Sequence, residues 1–151
     1  MSSTSTPLHE AAEAGDLGLC QSLVSDGHDV NSRHPGQNNS TPLHLASRKG
    51  RNEVCILLLD SGAELESRDD NGKTPIILAA QQGHLATVRL LHQRGADVLA
   101  TNEEGSMAIH LAAQLNRAET VQYLVEEAGV GVDTVSGAHH CRLQHVTLYT
   151  Q

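Results

Sequence analysis

The ten-residue stretch Thr41 to Gly50, TPLHLASRKG, constrains the fold most, because variants of it recur at a nearly constant interval. The others read TPLHEAAEAG from Thr6, TPIILAAQQG from Thr74 and MAIHLAAQLN from Met107, so successive starts lie 35, 33 and 33 residues apart. Self-similarity at such a period marks a repeat architecture in which each unit buries its apolar face only against its neighbours. The chain divides accordingly into a short polar N-terminus (1–5), four repeats (6–40, 41–73, 74–106 and 107–133) and a tail (134–151).

The second repeat displays the local physics. Thr41 is a good N-cap and Pro42 falls at N1, where its missing N–H costs nothing. Leu43, Leu45 and Ala46 supply an apolar face, Ala46 and Ser47 are small enough for a neighbouring helix to approach, and Gly50 stops the helix. Val54, Cys55, Leu58 and Leu59 then recur at the spacing of a second apolar stripe. Gly62 ends this helix in turn, and Asn71-Gly72 reads as a tight turn. Helices shorter than about 12 residues are marginal alone, so stability must come from packing. Each repeat is predicted to be helix, helix, projecting loop.

A period near 33 that opens on T-P-L-H-x-A resembles the ankyrin repeat family, from Thr6 to about Asp133. The resemblance implies an all-α solenoid of four helix-turn-helix repeats with projecting loops. It further implies that the T-P-L-H histidines His9, His44 and His110 bond across to the loop and threonine of a neighbouring repeat, and that His84 is a structural residue after the glycine. Asn31, following Asp29-Val30, resembles the ankyrin asparagines that asparaginyl hydroxylases modify, most of which simply hold the loop.

Departures from the pattern fall at the ends. Glu10 stands where later repeats have Leu45, Leu78 and Leu111, and Ser22 where they have Leu57, Leu90 and Tyr123, as expected of a polar cap and a genuine beginning. The first loop, Arg33 to Ser40, carries two extra residues and should project furthest. In the third repeat Ile77 replaces the histidine, so one polar contact is lost. The fourth opens on Met107-Ala108 without a cap hydroxyl or proline, and Asn116 replaces the stop glycine. Its apolar Ile109, Leu111, Val121 and Leu124 call for a cover, for which Cys141 to Tyr149 is expected to serve as a degenerate half-repeat using Leu143, Val146 and Leu148. The rival is a longer array cut short.

Composition excludes several functions. The net charge of −8 opposes nucleic acid and anionic membrane as partners. No apolar run approaches the roughly 18 residues of a membrane span, and no signal-peptide layout opens the chain, so an intracellular protein, cytoplasmic or nuclear, is expected. Cys20 and Cys55 fall at one position of successive repeats. Stacked axes about 8 to 10 Å apart exceed the roughly 4.4 to 6.8 Å that a disulfide spans, so both read as reduced core thiols. His92 shares a column with Val24, Leu59 and Val125 and reads as a core histidine; His28 and His34 read as loop residues.

His139, His140, Cys141 and His145 in the tail invite a metal or catalytic reading. Structural zinc needs four ligands in a defined geometry, no C-x-x-C accompanies them, and a nucleophilic cysteine needs a positioned base. No nucleotide-binding loop, G-x-S-x-G or paired-carboxylate signature occurs. The chain therefore reads as no enzyme, with no metal and no cofactor.

By resemblance, such arrays bind proteins through loop tips and the inner face of the first helices. Mapped here, that surface comprises the loop residues Arg33, His34, Gln37, Asn38, Asp69, Asp70, Lys73, Asn102 and Glu103, with Glu13, Arg48, Lys49, Gln81, Gln82, Gln114 and Leu115 on the first helices. The expectation is a monomeric adaptor or inhibitor scaffold for a protein partner, with the recognition domain of a larger protein as its alternative. The basic run Arg48-Lys49-Gly50-Arg51 favours its helix C-terminus and could also receive an acidic partner segment.

Overall fold

The computed structural model describes residues 6–131. Among them eight helices follow in order: α1 (Pro7–Ala14), α2 (Leu17–Ser25), α3 (Pro42–Lys49), α4 (Asn52–Asp60), α5 (Pro75–Gln82), α6 (Leu85–Gln93), α7 (Ala108–Gln114) and α8 (Ala118–Glu126). The proposed tail cap, Cys141 to Tyr149, and the tail histidines lie outside the described residues. Odd-numbered helices stack into an inner row and even-numbered ones into an outer row, with the inner contacts closer. The architecture is the expected all-α, four-repeat solenoid.

The core is built in columns, one residue per repeat. Leu8, Leu43, Ile76 and Ile109 form one column and Cys20, Cys55, Val88 and Val121 another, all of them essentially inaccessible. Leu58, Leu91 and Leu124 join the rows. Ala11, Ala46, Ala79 and Ala112 line the inner row, where a small side chain lets helices come close. The first repeat breaks these columns on its outer side: Glu10 and Ser22 are exposed, and Leu19 is 45% exposed where Val54, Thr87 and Thr120 are buried.

Stop glycines couple repeats as well as ending helices. Gly83 adopts φ +76, and a Cβ there would lie 2.6 Å from Cδ of Arg117. Arg117 Nε in turn donates to the Gln81 carbonyl at 3.2 Å. His84 and Arg51 repeat the device one and two repeats earlier, reaching the carbonyls of Arg48 and Glu13. Asn116, with φ 59, holds the left-handed conformation at this position of the fourth repeat.

The T-P-L-H histidines correct one expectation, for His9 and His44 bond the threonine of their own repeat and not a neighbour's, and His110 accepts from the Met107 N–H of its own repeat. His44 Nδ1 lies 2.8 Å from Thr41 Oγ1 and 3.1 Å from the Thr41 N–H, and Nε2 donates to the Lys73 carbonyl at 3.0 Å. His9 likewise pairs with Thr6 and reaches the Ser32 and Ser40 carbonyls, each at 3.0 Å. The geometry follows from helix spacing, since residue N3 folds back over its own N-cap. The long-range half of the bond goes to the carbonyl that precedes the next repeat.

In the third repeat Ile77 is fully buried, and the Thr74 hydroxyl is left buried with no hydrogen-bond partner. The polar contact expected to be missing is missing. Replacing Thr74 by Val should therefore be neutral or stabilising, while Thr41→Val, which removes the hydroxyl that bonds both His44 Nδ1 and the His44 N–H, should cost about 1 to 3 kcal/mol. Urea unfolding of the two variants against the parent chain checks the difference.

Because Nε2 of His44 donates to a carbonyl, Nδ1 must stay unprotonated to accept from Thr41. Burial holds the imidazoles of His9 and His44 below the ordinary value of 6.5, against the opposing pull of the carbonyls they bond. The unfolded chain then takes up protons that the folded chain resists. Stability present above pH 6.5 should fall as pH drops from that value toward the folded ones. The slope of the denaturation midpoint between pH 7.5 and 5 should be shallower in a His9→Gln/His44→Gln double variant.

Candidate partner-binding surface

The loops between repeats are hairpin-like fingers, each closed by a backbone pair at its base. His34 and Ser40 close the first, while in the next two the N–H groups of Asp69 and Asn102 donate to the carbonyls of Lys73 and Ser106. The first finger takes up its two extra residues in a 3-10 turn, Pro35–Gln37, followed by Asn38 and Asn39 at φ 54 and 51. The base position is where the sequence-based surface needs correction. Asp69 Oδ1 accepts from the N–H groups of Asn71 and Lys73, each at 2.9 Å, and Asn102 Oδ1 from those of Glu104 and Ser106.

His34 fills the same column, accepts at Nδ1 from the Gly36 N–H and packs edge-on against the His9 ring. All three are buried, so their polar atoms hold the turn and are not exposed for a partner. Arg33 is also committed. Its guanidinium donates to the carbonyls of Asn39 and Arg68, at 3.2 and 2.6 Å, and to Ser67 Oγ. Arg68 repeats the pattern toward Gly72 and Thr101.

Backbone bonds from Asp70 N–H to the Asn38 carbonyl and from Glu103 N–H to the Asn71 carbonyl run from finger to finger. The fingers therefore form one braced edge. Below it, Asn31 ties the opposite loops together, donating to the Gly62 carbonyl and accepting from the Glu64 N–H. This is the loop-holding role expected of it.

Between fingers and inner helices lie two grooves. One, of about 200 Å³, runs from Asn38 and Arg48 to Gln81 and Gln82; the other, of about 330 Å³, is lined by Asn102, Glu103, Glu104 and Gln114. Both include Asn71, Lys73 and Gln81, so they are continuous. Asn71 and Glu104 were not foreseen in the surface; they share the Asn38 column, and that register was the available signal. Asp69 and Asn102 line the grooves with Oδ1 of each already accepting from its own turn. Leu115 is 43% exposed but lines neither groove, and Asp70 accepts from Asn39 Nδ2 at 2.9 Å.

Charges on the inner face are mostly satisfied at its first-repeat end. Arg48 lies 3.0 Å from Glu13 and donates to Gln37 Oε1, and Lys49 is 3.9 Å from Glu13. Lys73 has only the neutral Gln81 Oε1, at 3.1 Å. Among the described residues it is the one lysine or arginine whose side chain meets neither a carboxylate nor a backbone carbonyl. Buried Cys20 and Cys55 are free thiols, and burial pushes that of Cys55 up to about 11, which leaves it protonated and unreactive at neutral pH. His92 bonds Tyr123 Oη at 2.7 Å on the outer row, away from these grooves.

A family model described as ankyrin repeats (3 copies) matches residues 2–69 and 64–136. The chain belongs to the ankyrin repeat family. Ankyrin repeat domains are in general protein–protein interaction modules and are typically not catalytic. No curated protein matches the chain. None of the ankyrin helices described here is long and apolar enough to cross a membrane. Since Asp69 braces its turn while Asp70 faces solvent, Asp69→Ala should cost about 1 to 3 kcal/mol and Asp70→Ala no more than about 0.5. Thermal and urea unfolding of the pair tests that assignment.

Proposed function

We propose that the array is a non-catalytic adaptor or inhibitor scaffold that receives one protein partner between its finger edge and inner helices. The observation that carries this reading is the continuous groove through Asn71, Lys73 and Gln81, which combines exposed side chains with unspent polar groups. Its partner face draws on Gln37, Asn38, Arg48, Lys49, Lys73, Gln81, Gln82, Glu103 and Gln114. The supporting frame is Arg33, His34, Asp69 and Asn102, and Asp70 and Leu115 lie at the margin.

A groove of carboxylates and amides on a chain of net charge −8 fits protein better than nucleic acid or anionic membrane. Two unpaired buried thiols fit a reducing compartment, cytoplasm or nucleus. The scaffold acts as a single chain. A photo-crosslinking amino acid placed at Gln81 or Gln114 should give partner adducts, and one at the outer-row Gln21 or Ile56 should not. Adducts from the outer row alone would move the site to the opposite face.

A further inference from the structure

We infer that the groove recognises the backbone of an extended peptide segment that carries an acidic residue and, a few residues away, a basic one. The inference rests on the inner face being the docking surface and adds the form and chemistry of what docks there. Its first support is the lining. Asn71, Gln82 and Gln114 hydrogen-bond through their side chains to no protein group among the described residues, and Gln81 spends only its oxygen. A primary amide presents donor and acceptor in one plane, which matches the edge of a peptide unit.

The second support is what the groove lacks. The chain has no Phe or Trp, and Leu78 and Leu111, which line the grooves, are only 7% and 6% exposed. A helical partner satisfies its own backbone and would offer side chains to a face with no apolar pocket to receive them. An extended partner has unsatisfied N–H and C=O groups at every residue, and these are what free amides can bond. Stacked helices repeat at about 8 to 10 Å and an extended chain advances about 3.3 Å per residue, so each repeat meets about three peptide residues.

Charge sets the direction. Lys73 sits mid-groove without a carboxylate, and Glu103 and Glu104 lie at the far end of the larger groove. An acidic residue therefore belongs over Lys73, with a basic residue about three positions away, over the glutamates.

A displayed library of random peptides about twelve residues long, enough to cross four repeats, tests this when selected on the full chain. The selected peptides should share an acidic–basic pair at that spacing. N-methylation of central backbone amides in a synthetic binder should weaken it about tenfold, and Gln81→Leu, Gln114→Leu or Lys73→Met should weaken it by a similar factor without lowering Tm. If N-methylation is harmless and helix-favouring residues tighten binding, the extended-peptide inference fails while the inner-face reading stands. Enrichment of no peptide also overturns the inference, leaving a folded partner for the same face. Binding that ignores all three variants but is lost on Ile56→Asp overturns both.

Discussion

Every helix here is seven to nine residues long, one or two turns short of what holds a helix together in water. Stacking must therefore supply what propensity cannot, and polar bonds both within and between repeats reinforce it. They recur at three heights. The histidine of one repeat reaches the carbonyl before the next, as His44 does to Lys73. The residue after a stop glycine reaches back to the preceding repeat, as His84 does to Arg48. Arg33 and Arg68 reach forward along the finger edge. Because each bond satisfies a carbonyl that a short helix or a turn leaves open, loss of one neighbour exposes several backbone groups together. Stability is thus shared between neighbouring repeats.

The glycine device shows how tightly that sharing is built. Gly50 and Gly83 need a positive φ, but the ring of His84 and the chain of Arg117 also lie where a Cβ would stand. A left-handed asparagine could meet the first requirement without meeting the second. Asn116 is therefore informative. Its side chain occupies the place that the arginine or histidine of a following repeat takes at Gly15, Gly50 and Gly83. The fourth repeat therefore lacks the open place that the inner repeats offer to such a clamp.

Much of this was legible in the sequence because periodicity reports packing directly. The columns through Leu43, Cys55 and Leu58 are apolar in successive repeats, so register alone identifies core, and the exceptions Glu10 and Ser22 are exposed on the outer side of the first repeat. The candidate surface was less legible. His34, Asp69 and Asn102 are polar loop residues that vary between repeats, which is how a binding position also looks. What separates them is that a short acceptor two residues before an N–H closes a turn, a use for which Asp, Asn and the Nδ1 of His are interchangeable. Variation in that column preserves one acceptor and carries no partner information. Arg33 reads ambiguously for a related reason, since an exposed guanidinium can be committed to nearby carbonyls and a hydroxyl.

With those residues assigned to the frame, the groove's polarity has a physical rationale. Its amides and Lys73 are hydrated when empty, so the site presents no apolar patch that would invite non-specific association. The braced fingers keep these groups in place beforehand, which lowers the ordering cost of binding. A ligand gains little from each bond, because protein–water bonds are exchanged for protein–ligand ones, but a ligand that covers Gln81 or Lys73 without pairing it loses about 1 to 3 kcal/mol per group. Such a surface discriminates more strongly than it binds, and the fingers' internal bonds make the discrimination possible by preventing the lining from rearranging around a poor fit.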